Sequence, residues 1–220
     1  MIADDYRYCE TLVRDADKDR FLSALFAPAE RRDALFALHA FQVEISRIPR
    51  LAREPFARAI RLQWWRDTLN GERVEEAAAN PVASALIDAL RLFHVSPAPL
   101  IQDIDRRHSA AFGETVAVND GANFLVAAQL LGADASALTE AANHAGAAYA
   151  LAVERSSPDI AGRSYDAFRA VADELPKAAK AAFLPAALVP LFLRQLDAPQ
   201  WRRQIVLLRA AWFGFPNFRR

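Results

Sequence analysis

The stretch that most constrains the fold runs from Pro28 to Arg50, PAERRDALFALHAFQVEISRIPR. Leu35, Leu38, Gln42 and Ile45 recur at helical spacing and give one mostly apolar face; Phe36, Ala40 and Val43 give a second. A helix that is apolar on two sides must be covered from more than one direction, so it belongs at the centre of whatever the chain builds. Pro28 suits the first turn, where its missing N–H leaves nothing unpaired. Glu30 in that turn favours the helix dipole. Pro49 is expected to end the helix, because the residue before a proline disfavours the α region.

The rest of the chain repeats the pattern of apolar helical periods separated by short breaks. A first helix is expected over Asp4 to Ala16, with Tyr8, Leu12 and Cys9 inward, and a short one over Phe21 to Phe26. R-E-P-F opens a second long helix, FARAIRLQWWRDTLNG, which Asn70-Gly71 stops. Asn80-Pro81 starts VASALIDALRLF, with Leu86, Leu90 and Phe93 along one stripe, and Ser96-Pro97 starts IQDIDRRHSAAF. Gly121 to Gly132 reads as a buried helix, and the alanine-rich Ala133 to Val153 as another. There Gly146 lets helices approach closely or leaves room for a ligand. Ser156 to Gly162 is the clear break; helices resume over Ser164 to Ala182 and Phe183 to Leu193, and WRRQIVLLRAAWF closes the series. With only 7 glycines in 220 residues and helical periods throughout, the expectation is an all-α bundle forming a single domain over 1–220.

Charge and composition remove several function classes. The 27 basic and 27 acidic residues balance, which argues against a general nucleic-acid binder. The single cysteine, Cys9, allows no internal disulfide and no Cys-rich metal site, and fits a reducing compartment. The start, MIADDYRYCE, lacks the apolar core of a secretory signal. No apolar run reaches the roughly 18 residues of a spanning helix, so a soluble or peripheral protein is expected. D-A-D-K-D at Asp15 to Asp19 opens like a calcium loop, but Arg20 and Phe26 stand where that loop needs Gly and Glu, so it reads as a solvated helix end. Asp103 and Asp105 are two apart, point to different sides of a helix and make a poor metal pair. His108 and His144 read as inert or locally satisfied. Arg58, Arg61 and Arg66 either hold a phosphate or form solvated ion pairs. Of the adjacent Trp64 and Trp65, one enters the core with Ile60 and the other meets a neighbouring helix or a cleft.

A-L-H-A-F at Ala37 to Phe41 resembles the A-L-Y-A-F signature of the squalene/phytoene synthase family. In that family the signature runs on into D-D-x-x-D, whose aspartates bind the Mg²⁺ ions that hold a prenyl diphosphate. Position by position, the aspartates fall here on Ser46, Arg47 and Arg50, none of them acidic. The second aspartate motif falls on A-V-E-R-S-S-P-D-I, with Ser156 and Ile160 at the acidic positions, Asp159 one place off and Pro158 breaking the helix. A hard divalent cation needs charged oxygen ligands, and arginines repel it. The blocks YCETLVRDADKDRFLSALFAPAERR, ALFALHAFQVEISR, IRLQWWRDTLNG and PVASAL resemble most closely an offshoot of the family that assists assembly of respiratory complex I.

The resemblance implies an isoprenoid-synthase-type bundle, somewhat shortened in its second half, with no catalytic residue, no metal ligand and no cofactor. It implies action in assembly of a complex I-like respiratory complex, or as a scaffold binding a lipid or a partner. Respiratory-complex subunits or other membrane proteins would be the partners, and an isoprenoid or lipid the ligand. The expected cavity lining is Phe41, Glu44, Ile45, Trp64, Trp65 and Tyr149, with Phe124 close by. The alternative is a prenyltransferase condensing farnesyl or geranylgeranyl diphosphate, which would need Mg²⁺ and an acid cluster built from Glu44 with Asp103 or Asp159. A third reading concerns the tail, WRRQIVLLRAAWFGFPNFRR, which has no acid. Its arginines with Trp201, Trp212, Phe213, Phe215 and Phe218 suit either a membrane-interfacial segment or a helix docked on the bundle.

Overall fold

The computed structural model describes residues 2–116 and 119–217. The first half comprises α1 (Ile2–Ala16), α2 (Lys18–Ala24), α3 (Ala29–Leu51), α4 (Pro55–Asn70), α5 (Val74–Ala79), α6 (Pro81–Leu92) and α7 (Ala98–Ala111). The second comprises α8 (Gly121–Leu130), α9 (Ala135–Glu154), α10 (Pro158–Ala172), α11 (Lys180–Phe183), α12 (Val189–Arg194) and α13 (Gln200–Phe213). No strand occurs among the described residues. The described residues form an all-α fold.

α3 is central, as its two apolar faces require. Leu35, Ala37, Leu38, Ala40 and Phe41 are fully buried, and α1, α2, α4, α6 and α8 pack around it. Pro28 is its N-cap, in an extended conformation, rather than a residue of the first turn. Pro49 does not end α3, which runs on to Leu51. A proline this close to the end forfeits little of the ladder, and the Ala52 N–H still reaches the Ile48 carbonyl at 2.9 Å.

Two expectations about inward faces change. In α1 the buried residues are Cys9 and Val13, while Tyr8 is 49% exposed. The inward stripe is set by α6: Tyr6 donates to Asp88 at 2.8 Å, and Ser84 donates to Asp5 at 2.7 Å. Burial pushes the Cys9 thiol up to about 12. In α4, Trp65 enters the core and meets Phe41 edge-on at 5.0 Å, but Ile60 is 71% exposed. Trp64 packs against α5 instead, donating to Glu76 at 2.7 Å. Gly71 closes α4 at φ 82°, a left-handed conformation that suits glycine.

Asp15 to Asp19 is a solvated helix end only over Asp15 and Ala16, the exposed end of α1. Asp17 is the N-cap of α2 and accepts from the Arg20 N–H at 3.0 Å. Asp19 is buried and accepts from Arg203 of α13 at 2.7 Å. α2 therefore starts at Lys18, earlier than the expected Phe21.

The later helices are more broken than their periodicity implies. The break after α9 is short, Arg155 to Ser157, and Pro158 opens α10. The expected helix over Ser164 to Ala182 stops at Ala172, and Pro176 precedes a single 3-10 turn. Leu184 to Leu188 is also 3-10, and Pro190 opens α12 rather than kinking it. Three prolines within fifteen residues deny this stretch a continuous hydrogen-bond ladder. Among the described residues, no helix is long and apolar enough to cross a membrane.

α8 and α9 meet through two glycines. A Cβ on Gly146 would lie 2.1 Å from the Gly121 nitrogen, and the Asp120 N–H donates to the Gly146 carbonyl at 3.2 Å. Gly146 therefore serves close helix approach. The Gly146→Ala variant is expected to lose at least about 2 kcal/mol of stability, since its two nearest obstacles are backbone atoms of Gly121, which no rotamer change moves aside. Gly71→Ala, where only the left-handed φ is at stake, should lose about 1 kcal/mol. Urea unfolding of both variants measures the difference.

Candidate functional site

α3, α7, α9 and the segment leading into α8 enclose a cavity of about 390 Å³. Helical spacing decides which side chains face it. α3 contributes Gln42, Ile45 and Ser46, and α7 contributes Asp103, Arg106, Arg107 and Ala110, an i, i+3, i+4, i+7 stripe. α9 brings Tyr149 and Val153, α4 brings Arg58, and α2 brings Arg20.

The buried charges on the wall are committed to one another, while Arg58 donates to the Ala52 carbonyl at 2.8 Å and Glu154 is exposed. Asp103 accepts from Arg106 at 2.9 Å on one oxygen and from Arg107 at 2.7 Å on the other. Arg20 pairs with Asp120, and also with Asp17 at 3.1 Å. The Arg20 guanidinium lies 5.2 Å from the centre of the Tyr149 ring. Side-chain exposure is 13% for Arg20 and 10% for Asp120, a buried pair, whereas the buried Asp103 meets arginines that are 34% and 37% exposed. Burial opposes the charge on Arg20, but Asp120, Tyr149 and Asp17 outweigh it and hold its pKa above the ordinary value. Burial pushes the Asp120 carboxyl up, against the pull of Arg20 and Arg107. Burial also raises the Tyr149 phenol. His39, the histidine of the A-L-H-A-F signature, is 4% exposed. Burial, then the nearby Arg20 charge, push its pKa down to about 3, so it stays neutral.

Some of the expected site residues come together here and some do not. Ile45 and Tyr149 line the cavity, and so does Ser46 from the degenerate first motif. Phe41 and Trp65 are core residues that meet edge-on, and Trp64 is bonded to Glu76. Glu44 faces Arg47 at 3.6 Å, outside the cavity, and Arg50 is exposed at the end of α3. Phe124 packs between Tyr149 and Phe183. Ser156, Asp159 and Ile160 are exposed at the junction of α9 and α10, where the chain turns at Arg155 with φ 55°. Asp105 points away from Asp103 and pairs with Arg66 at 2.8 Å.

Arg20, Asp103, Arg107 and Asp120 carry the site; at the level of sequence Asp103 is weighed only as a metal ligand and Arg20 only as a loop mismatch, and Arg107 and Asp120 are not singled out. The signal for α7 was present in its stripe of 103, 106, 107 and 110. Arg20 and Asp120 lie 100 residues apart, and no local pattern links them.

These residues do not fit the Mg²⁺ ions that the prenyl-diphosphate enzymes use. Both Asp103 oxygens carry arginine hydrogen bonds, and Asp120 carries one from Arg20. Ser46 donates to the Val43 carbonyl at 2.9 Å. Among the described residues, no three His, Cys, Asp or Glu side chains converge on a point. A larger hollow of about 830 Å³ lies between α5, α6 and the end of α4. Its one acid, Asp88, is committed to Tyr6.

Residues 13–111 match the squalene/phytoene synthase family model. This segment is squalene/phytoene synthase-like. It takes in α3, α4, α6 and α7, and so the Arg106–Asp103–Arg107 wall of the cavity. The chain is 35% identical over 101 residues to NADH dehydrogenase (ubiquinone) complex I, assembly factor 6 of Bos taurus, 46% of this chain and 30% of that protein. To the Homo sapiens protein of the same name it is 31% identical over 100 residues, again 46% of this chain and 30% of that one. A homolog from Drosophila melanogaster is 38% identical over 65 residues, 29% of this chain and 20% of that protein. The matched stretch thus spans about a third or less of these relatives. No solved structure matches.

Two outcomes follow from the cavity electrostatics. Arg20→Met leaves Asp120 buried without its partner and is expected to cost about 3 kcal/mol at pH 7. Asp120 would then titrate still higher, and its protonated form needs no partner, so the penalty should shrink as pH falls. For His39 the sign is opposite. Its folded pKa lies below the unfolded 6.5, so stability is complete above about pH 6.5 and falls as pH drops toward 3. His39→Leu should reduce that slope by about one proton. Denaturant unfolding across pH measures both.

Proposed function

We propose that this chain is a non-catalytic squalene/phytoene synthase-like protein that assists assembly of a complex I-like respiratory complex, in the cytoplasm and peripherally at the inner membrane. The observation that carries the reading is the state of the cavity carboxylates. Ionising an allylic diphosphate means stabilising pyrophosphate as it leaves, and metal ions contribute several kcal/mol each to that. Here Asp103 and Asp120, the two buried acids on the wall, are bound to arginines, the third acid, Glu154, is exposed, and Ser46, Arg47 and Arg50 stand where the family places aspartates. The relatives named as complex I assembly factors support the choice of process. Under this reading the protein needs no cofactor, and its partners are respiratory-complex subunits or other membrane proteins.

The cavity retains a capacity to bind. Its apolar floor of Ile45, Leu62 and Val153, with arginines at one side, suits an isoprenoid or lipid whose anionic head meets the guanidinium groups. That ligand would act by stabilising the scaffold rather than by reacting. Deletion of the gene in its native host is expected to lower NADH-oxidising complex I activity severalfold and to leave isoprenoid products unchanged. Normal complex I activity with a lost squalene- or phytoene-type product would reverse the reading in favour of a prenyltransferase.

A further inference from the structure

The outward face of α13 is uncovered. Trp201, Ile205, Leu208 and Trp212 recur at intervals of four, three and four residues, and are 56%, 47%, 50% and 76% exposed. Those offsets place the four side chains in one narrow stripe, about 16 Å long. The opposite side of the helix holds it on the protein. Leu207 and Ala210 are buried, Arg203 reaches Asp19 of α2 at 2.7 Å, and α13 packs on α2 and the 184–188 turn. The stripe is therefore free of any role in anchoring the helix.

The groups beside the stripe select its partner. Arg202 and Arg209 are exposed along one flank, and Arg202 lies 5.2 Å from the Trp201 ring. From Ala198 to Asn217 the chain has no Asp or Glu. The described residues after α13, 214–217, lead away from the stripe. Phe215 turns in and packs edge-on against Phe168 of α10 at 4.9 Å, and Tyr165 of α10 donates to the Pro216 carbonyl at 2.8 Å. Phe213 stays 84% exposed, and Phe218 lies outside the described residues. A tryptophan at each end, aliphatic residues between them and arginines on the flank describe a helix lying in the plane of a lipid interface.

We propose that α13 docks this protein flat on an anionic lipid bilayer. Trp201, Ile205, Leu208 and Trp212 enter the acyl boundary, and Arg202 and Arg209 meet the lipid phosphates. The inference rests on the membrane location proposed above and gives it a surface; it does not depend on which complex is assembled.

Sedimentation of the purified protein with phosphatidylcholine vesicles, with and without phosphatidylglycerol, tests it. The wild type is expected to bind the anionic vesicles roughly tenfold or more tightly than the neutral ones, since each interfacial arginine contributes about 1 kcal/mol. Leu208→Glu with Trp212→Glu should abolish binding without changing the thermal melt, because both side chains face outward. Arg202→Gln with Arg209→Gln should remove the preference for anionic lipid. The comparison pair is Phe56→Glu with Ile60→Glu, which alters an equally exposed apolar patch on α4 and should bind as the wild type does. Absence of binding by the wild type, or binding lost in the α4 pair and kept in the α13 pair, would overturn the proposal. So would a dimer in solution that the α13 pair dissolves, since the face would then join two copies. A deletion strain deficient in complex I, with no vesicle binding by the protein, would remove this docking face and leave the assembly reading standing.

Discussion

A guanidinium held inside the bundle, that of Arg20, organises much of what surrounds it. Removing this charge from water is costly, and only Asp120 and Asp17, with the Tyr149 ring beside them, make it tolerable. The pair ties α2 to the start of α8 and to α9, across 100 residues of sequence. It also sets the state of its neighbours. His39 is kept neutral by burial and by this positive charge. Asp120 is spent on Arg20, and Asp103 on Arg106 and Arg107, so the cavity carries its two buried acids already neutralised. The buried part of the wall is one of matched ion pairs.

The segment that matches the family and the segment beyond it meet at this pair. Arg20 lies within residues 13–111, whereas Asp120 and Tyr149 lie outside them. The later part is built by different means. Gly121 and Gly146 bring α8 and α9 within backbone contact, and the prolines at 176, 185 and 190 replace a long helix with short turns. α13 then returns to α2, where Arg203 and Gln200 reach Asp19. The run Asp17 to Arg20 thus receives contacts from both later ends of the chain.

The central helix was legible because α3 carries two apolar faces, and a helix of that kind has one place to go. The all-α class and the glycine stop at Gly71 were legible for similarly local reasons. The inward face of α1 was not, since Tyr8 and Cys9 differ by one position and α6 decides between them through Tyr6 and Asp88. The cavity wall was legible only in part. Ile45 and Tyr149 lie on it, but Phe41 and Trp65 satisfy each other in the core, and Trp64 finds Glu76. Aromatic residues announce burial in a sequence without announcing which side of a packed layer they occupy. Arg20 and Asp120 were hidden for the plainest reason: a buried pair made across the fold leaves no spacing to read.

The measurement that tests the account most directly is calorimetric titration of the protein with a non-hydrolysable farnesyl diphosphate analogue, with and without Mg²⁺. With Asp103 and Asp120 held by arginines, the account predicts either no binding or binding of the same strength under both conditions. Tight binding that appears only with Mg²⁺ would contradict it, because those carboxylates would then have left their arginines to hold the metal.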